Sequence, residues 1–367
     1  MNKKKILIIV GSVIVVALAV VLVFWLVNRN KKEKHEGLNQ RKYQVEAKAV
    51  QDTIEDLYQK TNVKILRFDQ DVYHLDTNAL QDGIRKLGKK YHGIFIDSTA
   101  WHYPQAVAQM KGFLADPYFV ELYKYVNRQY ANIGELEDEL RHALAYYQYY
   151  FPDAKLPVFY SVVGGIDPDS YTKLVEGQVI GDKLVLILHL DWYLGKDNKY
   201  YGALPQYIRR QCDKKYLAID CFRNVMVWDQ LPNKEPITLL DNMLMAGKVL
   251  YFTEMLFPNR PLEDVFAYTT EELQWAEQHH GDVWNYLIEN ELVYSKDATV
   301  AQHLIDVAPE TKPFKGSPGR MGAFVGWKIV GHFMENNPKI SFQEMMKITD
   351  MNEMLKNRDI NLRNRTS

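Results

Sequence analysis

Two stretches decide the fold: KLVLILHLDWYLG at 183–195 and LPVFYSVV at 156–163. In the first, Leu184 to Leu188 are all apolar, with a charged residue before them and Gly195 closing the segment. An unbroken apolar run of this length, with no helical spacing, reads as a strand covered on both faces. GGIDPDS (164–170) between the two stretches is turn-forming, and Asp167 and Asp169 there are ordinary turn residues. A small antiparallel sheet is therefore predicted in the middle of the chain.

Outward from this sheet the pattern is helical. Helix is predicted from Val45 to Gln59, a short strand at VKILRFD (63–69), and mostly helix from 70 to 150 with breaks at Pro104 and Asp116–Pro117. On the other side, helices are expected at 214–228, 236–257, 269–290, 320–335 and 341–348. Thr238 and the Thr269–Glu272 pair supply start signals. The fold class is α+β, mainly helical, with no internal repeat.

The N-terminus is of a different kind. Ile6 to Val27 carries no charged side chain. As a helix it would reach about 33 Å, enough to cross a bilayer core. The FWLVNRN edge has no small-x-small cleavage site, and no cysteine precedes Cys212. The expected organisation is a tail (1–5), a transmembrane signal anchor (6–27), a charged linker (28–42), a folded domain (43–360) and a polar tail (361–367). Lys and Arg flank the apolar run on both sides, so charge alone does not orient it.

Charge is divided along the chain. Residues 1–42 hold nine of the 45 Lys and Arg and two of the 46 Asp and Glu, leaving 36 against 44 in the remainder, a net −8. The basic segment suits anionic headgroups. The acidic remainder excludes nucleic acid as its main partner. With 47% hydrophobic and 25% charged residues the chain is globular, not disordered. Its 24 tyrosines are read as buried side chains with satisfied hydroxyls. Cys212 and Cys221 are read as buried fillers.

Chemistry is sparse. No two of the ten histidines lie three or four apart, so no helix offers two imidazoles on one face. His189 and Asp191 fall on the same side of the predicted strand, as two ligands, an acid–base pair or, more simply, a hydrogen-bonded structural pair. Cys221 sits in an apolar helical setting, which keeps a thiol protonated. No GxSxG elbow or phosphate loop is present. In GSPGRMGAFVG (316–326), Gly322, Ala323 and Gly326 mark close helix packing. Arg320 at a helix start opposes the dipole, and so predicts an acidic partner.

Four segments carry a family resemblance: LVLILHLDWYLGKDNKYYGALPQYIRR (184–210), TLLDNMLMAGKVLYFTEMLFPNRP (238–261), YTTEELQWAEQHHGDVWNYLIENELVYSKD (268–297) and PGRMGAFVGWKIVGHFMENNPKISFQEMM (318–346). In order and spacing they resemble the gliding-motility lipoprotein GldB family, over roughly residues 135–360. That family is in turn similar to predicted zinc peptidases, in which an HExxH helix is followed by a helix bearing a glutamate ligand. The resemblance implies a zincin-like ectodomain with its catalytic groups removed. Asp220, Cys221 and Asn224 stand in the HExxH slots, and Ala246, flanked by Gly247 and Lys248, stands at the glutamate. Without imidazole, base or third ligand, a metal-activated water is not available there. No cofactor is expected. Lys248 and Arg320 are the candidates to hold a carboxylate in the old cleft.

The resemblance also implies a non-catalytic envelope protein, accessory to gliding or the linked secretion machinery. It would be held in the inner membrane by 6–27 and face the periplasm, with membrane lipid and envelope proteins as partners. An outer-membrane association is the alternative location. Two other functions stay open: an active envelope hydrolase using His189, Asp191, Asp220 and Glu254, and a periplasmic glycan- or peptide-binding module.

Overall fold

The computed structural model describes residues 47–92, 94–167 and 175–356. The anchor at 6–27, the linker at 28–42, the tail at 361–367 and Asp169 lie outside the described residues. Among the described residues no helix is long and apolar enough to cross a membrane. The chain falls into two compact units, Met1–Lys60 and Thr61–Ser367. Of the first, helix α1 (47–60) is described. It is pinned along its own surface by Lys60–Asp56 (2.5 Å) and Gln59–Glu55 (2.7 Å), both one helical turn apart.

The second unit holds a sheet of four strands in the order β1-β2-β4-β3. These are β1 (Ile65–Arg67), β2 (Val158–Val162), β3 (Val175–Ile180) and β4 (Lys183–His189). β1, β2 and β4 run parallel, and only β3 is antiparallel, to β4. The sheet is thus mixed, correcting the antiparallel expectation. Five helices separate β1 from β2, a connection long enough to return the chain in the same direction. β3 escapes the sequence reading because only half of VEGQVI is apolar and Gly177 interrupts it. It reverses into β4 through Gly181–Asp182, with Gly181 at φ 64°.

Apolar coverage of both sheet faces follows from alternation. Phe159, Leu186 and Leu188 enter the main core, while Tyr160, Val162, Val185 and Ile187 build a second, smaller one. This is why the 183–189 run is continuously apolar.

α2 (Phe68–Tyr73), α3 (Leu80–Lys90), α4 (Pro104–Ala115), α5 (Pro117–Gln129) and α6 (Gly134–Tyr150) connect β1 to β2. Pro104 and Pro117 each open a helix at its first position, where the missing N–H costs nothing. α6 buries Leu136, Leu140, Ala143, Leu144 and Tyr147, one stripe at helical spacing.

After the sheet come α7 (Gln206–Arg209), α8 (Leu217–Asp220), α9 (Leu239–Leu256), α10 (Leu262–Phe266), α11 (Thr270–Glu289), α12 (Ala298–Ile305), α13 (Met321–Asn336) and α14 (Phe342–Lys347). Capping boxes start α9 from Thr238 and Asp241 and α11 from Thr269 and Glu272.

α9 and α13 form the spine. A Cβ on Gly326 would stand 1.9 Å from the Met243 carbonyl oxygen, and one on Gly247 2.3 Å from the Gly326 carbonyl carbon. Gly322 is similarly close to Leu304 of α12. The predicted close packing of this small-residue face is what the helices use.

Candidate functional site

The predicted helix 214–228 is wound three ways. α8 ends at Asp220, a π-helical turn spans Cys221–Val225, and a 3-10 turn spans Met226–Asp229. The wider turn seats Val225 against Gly177 of β3, where any side chain would collide with it. Such π turns recur at functional sites. Here the turn borders a large cleft, of about 910 Å³, between the 220–236 segment, one face of α9 and the start of α13.

α9 presents Asn242, Met245, Ala246 and Val249 to this cleft, positions spaced three and four apart. Asp220, Arg223 and Asn224 line it from the opposite side, and Arg320 from the entrance of α13. The exposed Trp228 (57%) and Pro232 and Pro236 add an apolar rim. The Trp228 ring is fixed by its Nε1–H donating to the Asn224 carbonyl at 2.9 Å.

Asp220, Asn224, Ala246 and Arg320 are therefore brought together, and Cys221, Gly247 and Lys248 are not. Cys221 is fully buried, and burial beside Asp220 pushes its thiol well above the ordinary value. It is free, as is Cys212, and both are buried as expected. Gly247 turns to α13. Lys248 is fully buried elsewhere and donates to the Met346 (3.2 Å) and Ile348 (2.7 Å) carbonyls at the end of α14. Desolvation lowers its pKa to about 8. It ties down a helix end and does not serve the cleft, correcting its proposed role there.

Asp220 is almost wholly buried, with both oxygens committed. Oδ1 accepts from Arg223, and Oδ2 accepts from the Tyr193 hydroxyl at 2.8 Å. Arg223 also donates to the Val265 carbonyl at 3.2 Å. Arg223 escaped the sequence reading, although its three-residue offset from Asp220 is an ion-pair spacing.

Arg320 corrects a second expectation. Among the described residues no carboxylate lies within ion-pair distance of it. Its backbone is left-handed (φ 65°, ψ 27°) at the cap of α13, a conformation that costs a non-glycine residue about 1 kcal/mol or more. Burial, and then the neighbouring Arg223 cation, lower its pKa to about 10, still charged at neutral pH.

His189 and Asp191 are not an acid–base pair. β4 ends at His189 and residues 190–192 form a 3-10 turn, so strand alternation no longer aligns them. His189 Nε2 stands 3.3 Å from Glu176. Asp191 instead accepts from the Gly164 and Gly165 amides at 3.1 and 2.7 Å through Oδ2. Glu254 accepts from Trp327 Nε1 at 2.7 Å, away from the cleft lining. Among the described residues no three His, Cys, Asp or Glu side chains gather closely enough to hold a metal. The donor set at the positions the resemblance assigns to metal ligands does not fit one either. Asp220 has no open oxygen, and Ala246 has no lone pair.

Asp191 yields a test of its own. It is fully buried, its Oδ1 has no hydrogen-bond partner, and desolvation raises its pKa to about 7. Between about pH 4 and 7 the unfolded chain has lost this proton and the folded chain keeps it. Stability therefore falls as pH rises through that window and levels off above 7, by a few kcal/mol in all. Asp191→Asn is expected to remove that fall, since an amide oxygen still accepts both glycine N–H groups. Urea midpoints for the two proteins should converge below pH 4 and separate steadily towards pH 7. Parallel pH profiles would show that Asp191 titrates normally.

Comparison with known proteins matches residues 48–359 to the family described as gliding motility protein GldB. The match begins well before the segments that carried the resemblance in sequence. No curated protein matches, and no solved structure matches.

Proposed function

The chain belongs to the gliding motility protein GldB family, and on that premise we propose that it is a non-catalytic envelope protein, accessory to gliding motility or the linked secretion machinery, whose cleft grips a carboxylate on a partner polypeptide. The apolar run at 6–27 would tether it to the inner membrane with the body in the periplasm.

Arg320 is the observation that carries this reading. A partly buried guanidinium with no carboxylate in ion-pair contact, Asp306 and Asp220 favouring its charge only from further off, and held in a strained backbone conformation on the wall of a large cleft, is incompletely compensated. A ligand anion completes the compensation, and Arg is suited to grip a carboxylate through two parallel hydrogen bonds. The lining holds three carboxylates (Asp220, Glu235, Asp306) and three cations (Arg223, Lys234, Arg320), so it is neutral as a whole. A guanidinium on a wall with no net charge suits a single carboxylate on an otherwise neutral segment, not a polyanion. Trp228 and the two prolines offer the apolar surface such a segment would cover.

The same cleft supports descent from a peptidase scaffold. Asp220, Asn224 and Ala246, which would be the three ligand slots, all line it. Contact, not bond cleavage, is then the mode of action, since the one carboxylate among them is locked in an ion pair.

Arg320→Asn is the test. Asn tolerates left-handed backbone and carries no charge. The full-length variant is expected to be as stable as the parent or slightly more so. A short peptide with a free C-terminal carboxylate should bind the parent at least tenfold more tightly than the same peptide amidated, and the variant should not distinguish them. Equal binding of both peptides by the parent, or stoichiometric zinc retained by the purified protein, would overturn the reading.

A further inference from the structure

We propose that a second hollow, at the carboxyl ends of β1 and β2, is a binding site for a small neutral molecule with a hydrocarbon body of about ten non-hydrogen atoms and one hydrogen-bond acceptor. It shares no lining residue with the Arg320 cleft.

The position follows from topology. β1 and β2 are parallel neighbours, and the residues that leave them, Phe68 and Asp69 after β1 and Val163 after β2, border the hollow. Crevices beyond the carboxyl ends of parallel strands are where open sheets place ligands, because the chain diverges there. α4 and α5 roof it with Met110, Phe113, Phe119 and Tyr123.

Its size and chemistry narrow the occupant. The volume is about 220 Å³. A hydrocarbon-lined cavity of about 150 Å³ accommodates benzene, so this one suits a slightly larger body. A hollow of this kind is costly to leave empty, because its lining forfeits packing contacts. Met110 can reshape its side chain around a guest.

The polar groups decide neutrality. Asp69 lies in the lining but is spent. It accepts from Arg67 Nε and Nη2 at 2.9 and 2.7 Å and from the Ser161 hydroxyl at 2.6 Å. A second carboxylate would meet it as a like charge, and a cation would find it already neutralised by Arg67.

Tyr123 is different. It is only 4% exposed, and its hydroxyl has no hydrogen-bond partner and is shut off from water. Other buried tyrosines are provided for. Tyr130 donates to the Tyr193 carbonyl (2.9 Å), Tyr201 to the Asp191 carbonyl (2.7 Å), and Tyr193 to the Asp220 carboxylate (2.8 Å). A buried donor left without an acceptor destabilises a fold unless something supplies one. A guest with a carbonyl oxygen at one end would do so once the Tyr123 ring shifts slightly on its stacking partner Tyr73.

The full chain, kept soluble in amphipol, is titrated with 2-octanone, octane and octanoate, and followed by thermal shift and saturation-transfer NMR. Saturable binding of 2-octanone is expected, with octane and octanoate weaker. Tyr123→Phe should weaken 2-octanone about three- to tenfold and leave octane unchanged. Met110→Trp, which fills the hollow, should abolish both, with the milder Leu114→Phe as a second filling variant. No saturable binding of 2-octanone, binding that survives both filling variants, or octanoate binding as tightly as the ketone would overturn the proposal. None of these results depends on Arg320, so the cleft reading stands or falls separately.

Discussion

Gly326→Ala is expected to cost about 3 kcal/mol, the upper end for an overpacked core and a large share of a domain's net stability, whereas Gly331→Ala on the same helix is expected to stabilise it. The added methyl at 326 would sit 1.9 Å from the Met243 carbonyl oxygen and 2.6 Å from its carbon. Both are backbone atoms of α9, so no rotamer change relieves the clash. The two helices must separate. Their separation also opens the contact one turn along α9, where Gly247 lies against the Gly326 backbone. At Gly331 a methyl would meet nothing within 4 Å. There the ordinary preference of helices for alanine over glycine applies, about 0.5–1 kcal/mol in favour. Denaturant midpoints of the two variants should move in opposite directions. A folded Gly326→Ala protein with an unchanged midpoint would mean that α9 and α13 do not approach as closely as described.

That contact was legible beforehand, since glycine and alanine at three- and four-residue spacing on an apolar helix have few other uses. So were the helix starts at Thr238 and Thr269, the breaks at Pro104 and Pro117, and the strands at 158–162 and 183–189. These features rest on local chemistry: caps, missing N–H groups, continuous apolar runs. Sheet direction did not, because it depends on how a run of five helices returns the chain. β3 was hidden by its polar face and by Gly177, which serves Val225 and not strand propensity.

The site was legible only in part. Asp220, Asn224, Ala246 and Arg320 meet at the cleft, but the family frame placed the first three, not any spacing of ligands. Gly247 and Lys248 were drawn in as neighbours of Ala246. On a helix, however, each successive residue turns by about 100°, which sends them to α13 and α14 instead. Cys221 follows the same logic in the π turn. The expected acid beside Arg320 failed for a more informative reason. The dipole argument was sound, yet the acids near Arg320, Asp306 and Asp220, favour its charge without any described carboxylate reaching ion-pair distance. The Tyr123 hollow left no trace in the sequence, because it is assembled from five separate stretches that are each ordinarily apolar.

Asp220→Ala is expected to cost about 3–5 kcal/mol, and the double variant Asp220→Ala/Arg223→Met distinctly less. Asp220 is the one anion at the cleft floor that is fully paired, and removing it strands Arg223, only 6% exposed, with a single carbonyl for company. It also removes the negative charge that now favours the charged form of Arg320. Two guanidinium groups would then face one cleft with less acidic compensation, Asp306 still favouring the charge on Arg320. Replacing Arg223 as well withdraws the stranded charge and leaves mainly the Tyr193 hydroxyl unpartnered, a smaller cost of about 1–3 kcal/mol. Chemical denaturation of the three proteins measures the coupling directly. If the surviving single variant is assayed with the carboxylate peptide, binding should tighten severalfold, because the cleft has gained net positive charge. Were Asp220 instead a group kept open for a cation, its loss would leave stability unchanged and would not be rescued through Arg223. Additive losses in the double variant would therefore refute the ion pair, and with it the claim that this position now stabilises the scaffold and no longer serves catalysis.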